Sequence, residues 1–307
     1  MSRAISVRGL RMHYGTIHAV DGIDFDVADG EIFALLGPNG AGKTTTIEIL
    51  EGHRRRTAGE VSVLGFDPGR GGRGYRERVG IMLQSGGIDT ELTVAETMRL
   101  YAGFYRRSRP VDETLAMVGL ADEAGKRVGA LSGGLERRLD LGLALIGDPD
   151  VVFLDEPTTG FDPLARRAAW GMLAGLRGLG KTVLLTSHYM DEVEHLADRV
   201  AVIRRGRIVA ESTPRKLGGR DVGEVLIRFV AGATAGHAEL PPGPWTAARR
   251  DGDVVVLATD EPTRALAVLT AWAIDRGEEL VGLTVTRPSL EDAYLHLTQH
   301  SDTAATS

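Results

Sequence analysis

"GPNGAGKTT", Gly37–Thr45, is the stretch on which the fold turns. It follows "IFALL", a continuously apolar run that reads as a buried strand, and it opens "TTTIEILEG", which reads as a helix. A G-x-x-x-x-G-K-[ST] pattern between a strand and a helix is a phosphate cradle. Gly37, Gly40 and Gly42 let the backbone curl through Pro38, Asn39 and Ala41, so that several N–H groups face one anion. The N-terminal end of the following helix adds its positive dipole. Lys43 then reaches the terminal phosphates, Thr44 offers a hydroxyl to Mg²⁺, and Thr45 closes the loop.

Further along, "VVFLDEP" is another buried strand, and it delivers Asp155 at its C-terminal end. A carboxylate there sits where a cation bound to phosphates would be. Glu156 follows it and can polarise an attacking water as general base. Three other residues are less specific taken one at a time. Gln84 in "GIMLQSGG" reads as a strand-end amide, His188 in "LLTSHYM" as a structural imidazole, and Tyr14 in "RMHYG" as a cross-strand aromatic or a platform for a base.

"ALSGGLERRLDLGLAL", residues 130–145, is a helix that starts oddly. Ser132 is a good N-cap, but Gly133 and Gly134 follow it, and each costs about 0.8–1 kcal/mol relative to Ala inside a helix. Glycines without Cβ atoms let backbone amides approach a phosphate closely, which makes this helix start a candidate binding surface. Arg137 and Arg138 read as solvated charges on a helix face.

Bulk composition narrows the classes. The chain has 307 residues, 43% apolar and 25% charged, with net charge −6, a balance that argues against a general nucleic-acid binder. It has no cysteine, which excludes disulfides and thiolate chemistry. "MSRAISVRGLRMHY" has no apolar core of signal-peptide length, and no run reaches the ~18–20 apolar residues of a membrane span. A cytosolic chain that meets a membrane only through a partner is therefore expected.

Short apolar runs alternating with helical patterns predict an α/β domain with a mostly parallel sheet. "ELTVAETMRLYAGFY" is the clearest helix, and "RVAVIRRGRIVAES" reads as a hairpin turning at Arg205–Gly206. The texture changes near residue 220. Beyond it lie strands in "EVLIRFV" and "TAARRDGDVVVLAT" (turning at Asp251–Gly252), a helix in "PTRALAVLTAWAIDR", a strand in "LVGLTV" and a last helix capped by Ser289. The expected division is 1–219, with a helical part at about 88–140, then a small α/β domain over 220–298 and a disordered tail over 299–307.

The order "Y…GPNGAGKTT…Q…LSGGLERR…VVFLDEP…D…H" resembles the ATP-binding subunits of ATP-binding-cassette (ABC) transporters across residues 4 to about 215. The resemblance implies a P-loop ATPase fold with a mostly parallel sheet core, an antiparallel β subdomain and a helical subdomain. It makes Tyr14 the adenine-stacking aromatic, Gln84 a glutamine that touches Mg²⁺ and senses the membrane partner, and His188 the γ-phosphate histidine. Leu131–Gly134 matches the family signature, and Asp162 in "TTGFDP" matches the loop between subunits. "MLQSGGIDTELTVAETM" and "RPSLEDAYLHLT" resemble the drug-resistance exporter subgroup. Leu135 stands where many relatives have glutamine, and Phe161 where leucine is usual.

By this resemblance, ATP and Mg²⁺ are the ligands, and ATP on one chain is closed over by Ser132, Gly133 and Gly134 of a second. The partners implied are a second copy and a multi-span permease, with the chain peripheral on the inner membrane face. An importer subunit, or a soluble cassette ATPase acting on translation or DNA, is the alternative.

Overall fold

The computed structural model describes residues 2–82, 87–217, 225–230, 240–287, 290 and 294. Contacts divide the chain into two units, Met1–Pro214 and Arg215–Ser307. Gln84, Ser289 and the tail 299–307 lie outside the described residues.

The first unit opens with a long hairpin, β1 (Arg3–Tyr14) and β2 (Ile17–Ala28), followed by β3 (Ile32–Leu36) and α1 (Lys43–Glu51). Next come β4 (Ala58–Val63), the short α2 (Arg73–Arg76) and β5 (Val79–Met82). A helical stretch follows: α3 (Val94–Ala102), α4 (Val111–Met117) and α5 (Gly133–Leu145). The chain then returns through β6 (Val151–Asp155), α6 (Pro163–Gly178), β7 (Thr182–Ser187), α7 (Met190–Leu196), β8 (Arg199–Arg204) and β9 (Arg207–Ser212).

Two sheets result. One is antiparallel, in the order β2-β1-β4; the other runs β5-β6-β7-β3-β8-β9, parallel except for the β8–β9 hairpin. Every residue of β3, β6 and β7 is buried, as expected for parallel strands covered on both faces. One core joins the sheets. It takes Ile5, Val7 and Phe25 from the first, Phe33, Phe153 and Ile203 from the second, and Ile47 and Leu50 from α1. Phe25 stacks on Phe33 with centroids 5.4 Å apart. Each such side chain contributes roughly 1.5–3 kcal/mol on burial, so α1 is anchored firmly behind the phosphate loop. The predicted hairpin is present: Arg205 and Gly206 both have positive φ, the geometry that matches strand twist. Thr93 and Glu96 form a reciprocal capping box that starts α3.

The second unit is an antiparallel sheet in the order β11-β12-β10-β13, built from β10 (Val225–Val230), β11 (Ala247–Asp251), β12 (Val254–Thr259) and β13 (Val281–Thr286). Helix α8 (Pro262–Asp275) packs Ala265 and Leu269 against Ile227, Phe229, Val255 and Leu257. The β11–β12 turn falls on Gly252–Asp253, one residue later than expected, because Asp251 still pairs with Val254. Among the described residues no helix is long and apolar enough to cross a membrane.

Candidate active site

The parallel order β6-β7-β3 brings three strand ends together, and each chemical group follows from one of them. β3 ends at Leu36 and the chain curls through residues 37–42 into α1. Gly42 carries φ 108, and a Cβ on it would collide with the carbonyl oxygen of Ala19, so glycine is required on both counts. Helix α1 has no side-chain cap and no acidic residue in its first turn, which leaves its first N–H groups and its positive end open to an anion. A cavity of about 400 Å³ lies over it, lined by Ala19, Asn39, Gly40, Gly42, Lys43, Thr44, Thr45 and Glu156.

Lys43 is only 5% exposed. Its Nζ donates to the carbonyls of Gly37 (2.7 Å) and Pro38 (3.3 Å) and lies 3.7 Å from Glu156 Oε1. Burial lowers its pKa; the nearby charges of Glu156 and Asp155 oppose that shift.

β6 delivers Asp155 into the interior, where its Oδ1 accepts from Thr186 Oγ1 on β7. The chain then breaks sharply. Glu156 has φ 49, a left-handed conformation uncommon outside glycine. Its N–H donates to both the carbonyl (3.2 Å) and Oγ1 (3.0 Å) of Thr186. That turn aims the carboxylate at the cavity, with Oε2 accepting from Thr159 Oγ1 at 3.2 Å. His188, just past β7, puts Nδ1 3.2 Å from Glu156 Oε1, out of line for a hydrogen bond. Lys43, Glu156 and His188 thus converge on one point. Thr44 also lines a second cavity of about 120 Å³ together with Asp155 and Glu51.

The other predicted residues stand apart from this cavity. Tyr14 ends β1, 39% exposed, with the Arg54 guanidinium 5.3 Å from its ring centroid. Ser132 caps α5, accepting from Leu135 N–H at 3.4 Å. A Cβ on Gly133 or Gly134 would meet open space, so nothing within the described chain demands glycine there. Asp162 caps α6, accepting from the N–H groups of Leu164 and Ala165, both at 2.9 Å, and these bonds lower its pKa.

One reading is corrected. Arg137 is not a solvated charge: its side chain is 13% exposed and donates to the carbonyls of Asp155 (3.2 Å) and Glu156 (3.3 Å). It ties the glycine-started helix to the turn that carries Glu156. The sequence signal was its register on α5, four residues before the buried Leu141 and on the same face. Beside it, burial pushes the Asp140 carboxyl up to about 6, partly offset by Arg137.

Strand-loop-helix geometry, a buried lysine and two strand-end carboxylates define a P-loop ATPase. The family model described as "ABC transporter" matches residues 20–159, and one described as the C-terminal domain of ABC transporter domain-containing proteins matches 225–289. The daunorubicin resistance ATP-binding protein DrrA3 of Streptomyces coeruleorubidus is 39% identical over 305 residues, covering 96% of each chain. The Nod factor export ATP-binding protein I of Rhizobium sp. (strain N33) is 37% identical, covering 96% of this chain and 97% of its own. A solved ATP-binding subunit of an ABC transporter shares 27% identity with a TM-score of 0.64, over 70% of this chain and 91% of its own. The chain belongs to the ATP-binding subunits of ABC transporters. It is an ATPase of the exporter type.

Proposed function

We propose that the chain powers efflux of a drug, an antibiotic or another hydrophobic compound through a separate multi-span permease. In this reading it works as a homodimer with two ATP molecules between the copies, peripheral on the inner membrane face. Export is supported by relatives named for daunorubicin resistance and Nod factor export. The convergence of Lys43, Glu156 and His188 on the cavity carries the catalytic part of the reading.

ATP phosphates would displace the carbonyls of Gly37 and Pro38 from Lys43 and lie against the first turn of α1. Glu156 would orient a water and accept its proton, and His188 would meet the terminal phosphate. Tyr14 would take the adenine ring. Thr44 and Asp155 offer hard oxygen donors around one cavity, which fits Mg²⁺, with Gln84 as a further ligand. When bound, Mg²⁺ neutralises phosphate charge. Ser132, Gly133 and Gly134 would close over the cavity of a second copy, and Asp162 would face that copy. The open space around both glycines supports a ligand from outside the chain.

The test is Glu156→Gln. The variant is expected to bind ATP, hydrolyse it at least about a hundredfold more slowly (~2.7 kcal/mol) and accumulate as a dimer with ATP on size-exclusion chromatography. A wild-type hydrolysis rate would overturn the assignment.

A further inference from the structure

The stretch after Glu156 and the stretch after His188 meet at a seam between α6 and α7, and Glu192 sits in it. Its side chain is fully buried on α7, four residues past His188. Oε1 accepts from Thr158 Oγ1 at 2.8 Å, and Thr158 is itself fully buried, two residues past Glu156. One short bond therefore joins the two segments that carry the groups facing the phosphate cavity.

The surroundings are unusual in their polarity. Burial pushes the Glu192 carboxyl up, opposed by the hydrogen bond from Thr158 and the positive charge of Arg166. Trp170 stacks on His195 with centroids 5.2 Å apart, and Arg166 lies 4.0 Å from the Tyr189 ring centroid, so α6 and α7 interlock around this carboxylate. Three buried polar atoms in this seam have no hydrogen-bond partner among the described residues: Arg166 Nε, Trp170 Nε1 and Glu192 Oε2.

We infer that Glu192 is a positioning residue for ATP hydrolysis: through Thr158 it holds the turn that carries Glu156, and through α7 it sets that turn against His188. This rests on the reading of Glu156 as the residue that activates water. Glu192 is fully buried and lines neither cavity at the phosphate loop, so its loss acts on the rate of the chemical step rather than on nucleotide affinity.

The experiment uses the full-length chain and steady-state ATPase kinetics, with fluorescent-ATP titration alongside. Thr158→Val keeps the shape and removes the hydroxyl; Glu192→Gln keeps the shape and exchanges the carboxyl for a neutral amide. Each is expected to lower kcat about tenfold with KM and nucleotide affinity within twofold of wild type. Thr158→Ser restores the hydroxyl and is expected to restore kcat. The double variant Thr158→Val/Glu192→Gln is expected to be no slower than the slower single, because both act on one link. Losses that multiply in the double variant, an unchanged kcat in Thr158→Val, or a Thr158→Ser as slow as Thr158→Val would each overturn the inference. Glu156→Gln is measured in parallel. If it hydrolyses at the wild-type rate, the reading of Glu156 falls; if it is inactive while Thr158→Val and Glu192→Gln are not, only the role of Glu192 falls.

Discussion

Lys43 Nζ stands 3.7 Å from Glu156 Oε1 while it donates to the carbonyl of Gly37. The ammonium is buried, and burial alone lowers its pKa. Two carbonyls and a carboxylate are what it holds without nucleotide, and a phosphate is a stronger partner than either carbonyl.

Lys43→Ala is therefore expected to weaken ATP binding at least tenfold (about 1.4 kcal/mol), read by equilibrium titration with a fluorescent ATP analogue. An unchanged affinity would show that the loop amides alone hold the phosphates.

Gly134→Ala separates folding from function. The added methyl meets open space and removes a poor helix former from the first turn of α5. Thermal stability is expected to rise slightly, by up to about 1 kcal/mol, while ATPase activity falls. A variant both more stable and fully active would leave the two glycines without a functional reason.

Arg137→Met removes the donor that serves the carbonyls of Asp155 and Glu156 and leaves Asp140, 3.7 Å away, without its charge partner. The expected outcome is a loss of about 1–3 kcal/mol in stability and a kcat about tenfold lower, with ATP affinity retained. Denaturant melts and steady-state kinetics check the two parts separately.

Glu51 gives a pH signature. Burial, with the charges of Asp155 and Glu48 nearby, pushes its carboxyl from an ordinary 4.5 up to about 8. Between those values the folded chain holds a proton that the unfolded chain has lost, so stability falls as pH rises from about 4.5 to about 8 and levels off above. Glu51→Gln is neutral throughout and keeps a partner for His53, whose Nδ1 lies 3.1 Å from the carboxylate. The variant's Tm is expected to match wild type near pH 5 and exceed it by several degrees at pH 8, in melts with EDTA and no nucleotide. A gap that does not change with pH would refute the shift.

The phosphate loop was legible in the sequence because its chemistry needs contiguous residue types: glycines for curvature, then a lysine and a hydroxyl at fixed spacing. β3, β6 and β7 were legible as unbroken apolar runs for a related reason, since strands buried on both faces cannot alternate. Arg137 was not legible in its role. Its partners are backbone carbonyls, and any residue type could have stood at those positions. The α6–α7 seam was hidden for another reason: Thr158 and Glu192 lie 34 residues apart, and neither carries a local pattern. Asp162 was visible in part, since an Asp before the Pro163 that opens α6 is a helix-start signal as well as a family motif.

Glu156 carries φ 49 with an ordinary side chain, a conformation that costs about 1–3 kcal/mol and persists only because Thr186 and Arg137 grip its peptide from two sides. Glycine at this position would relax the backbone and toughen the protein while removing the carboxylate that, in the proposed reading, activates water. Selection for durability and selection for turnover therefore pull this residue in opposite directions. Wherever the family has lost the need to hydrolyse ATP, this turn is the first place where drift toward glycine should be found.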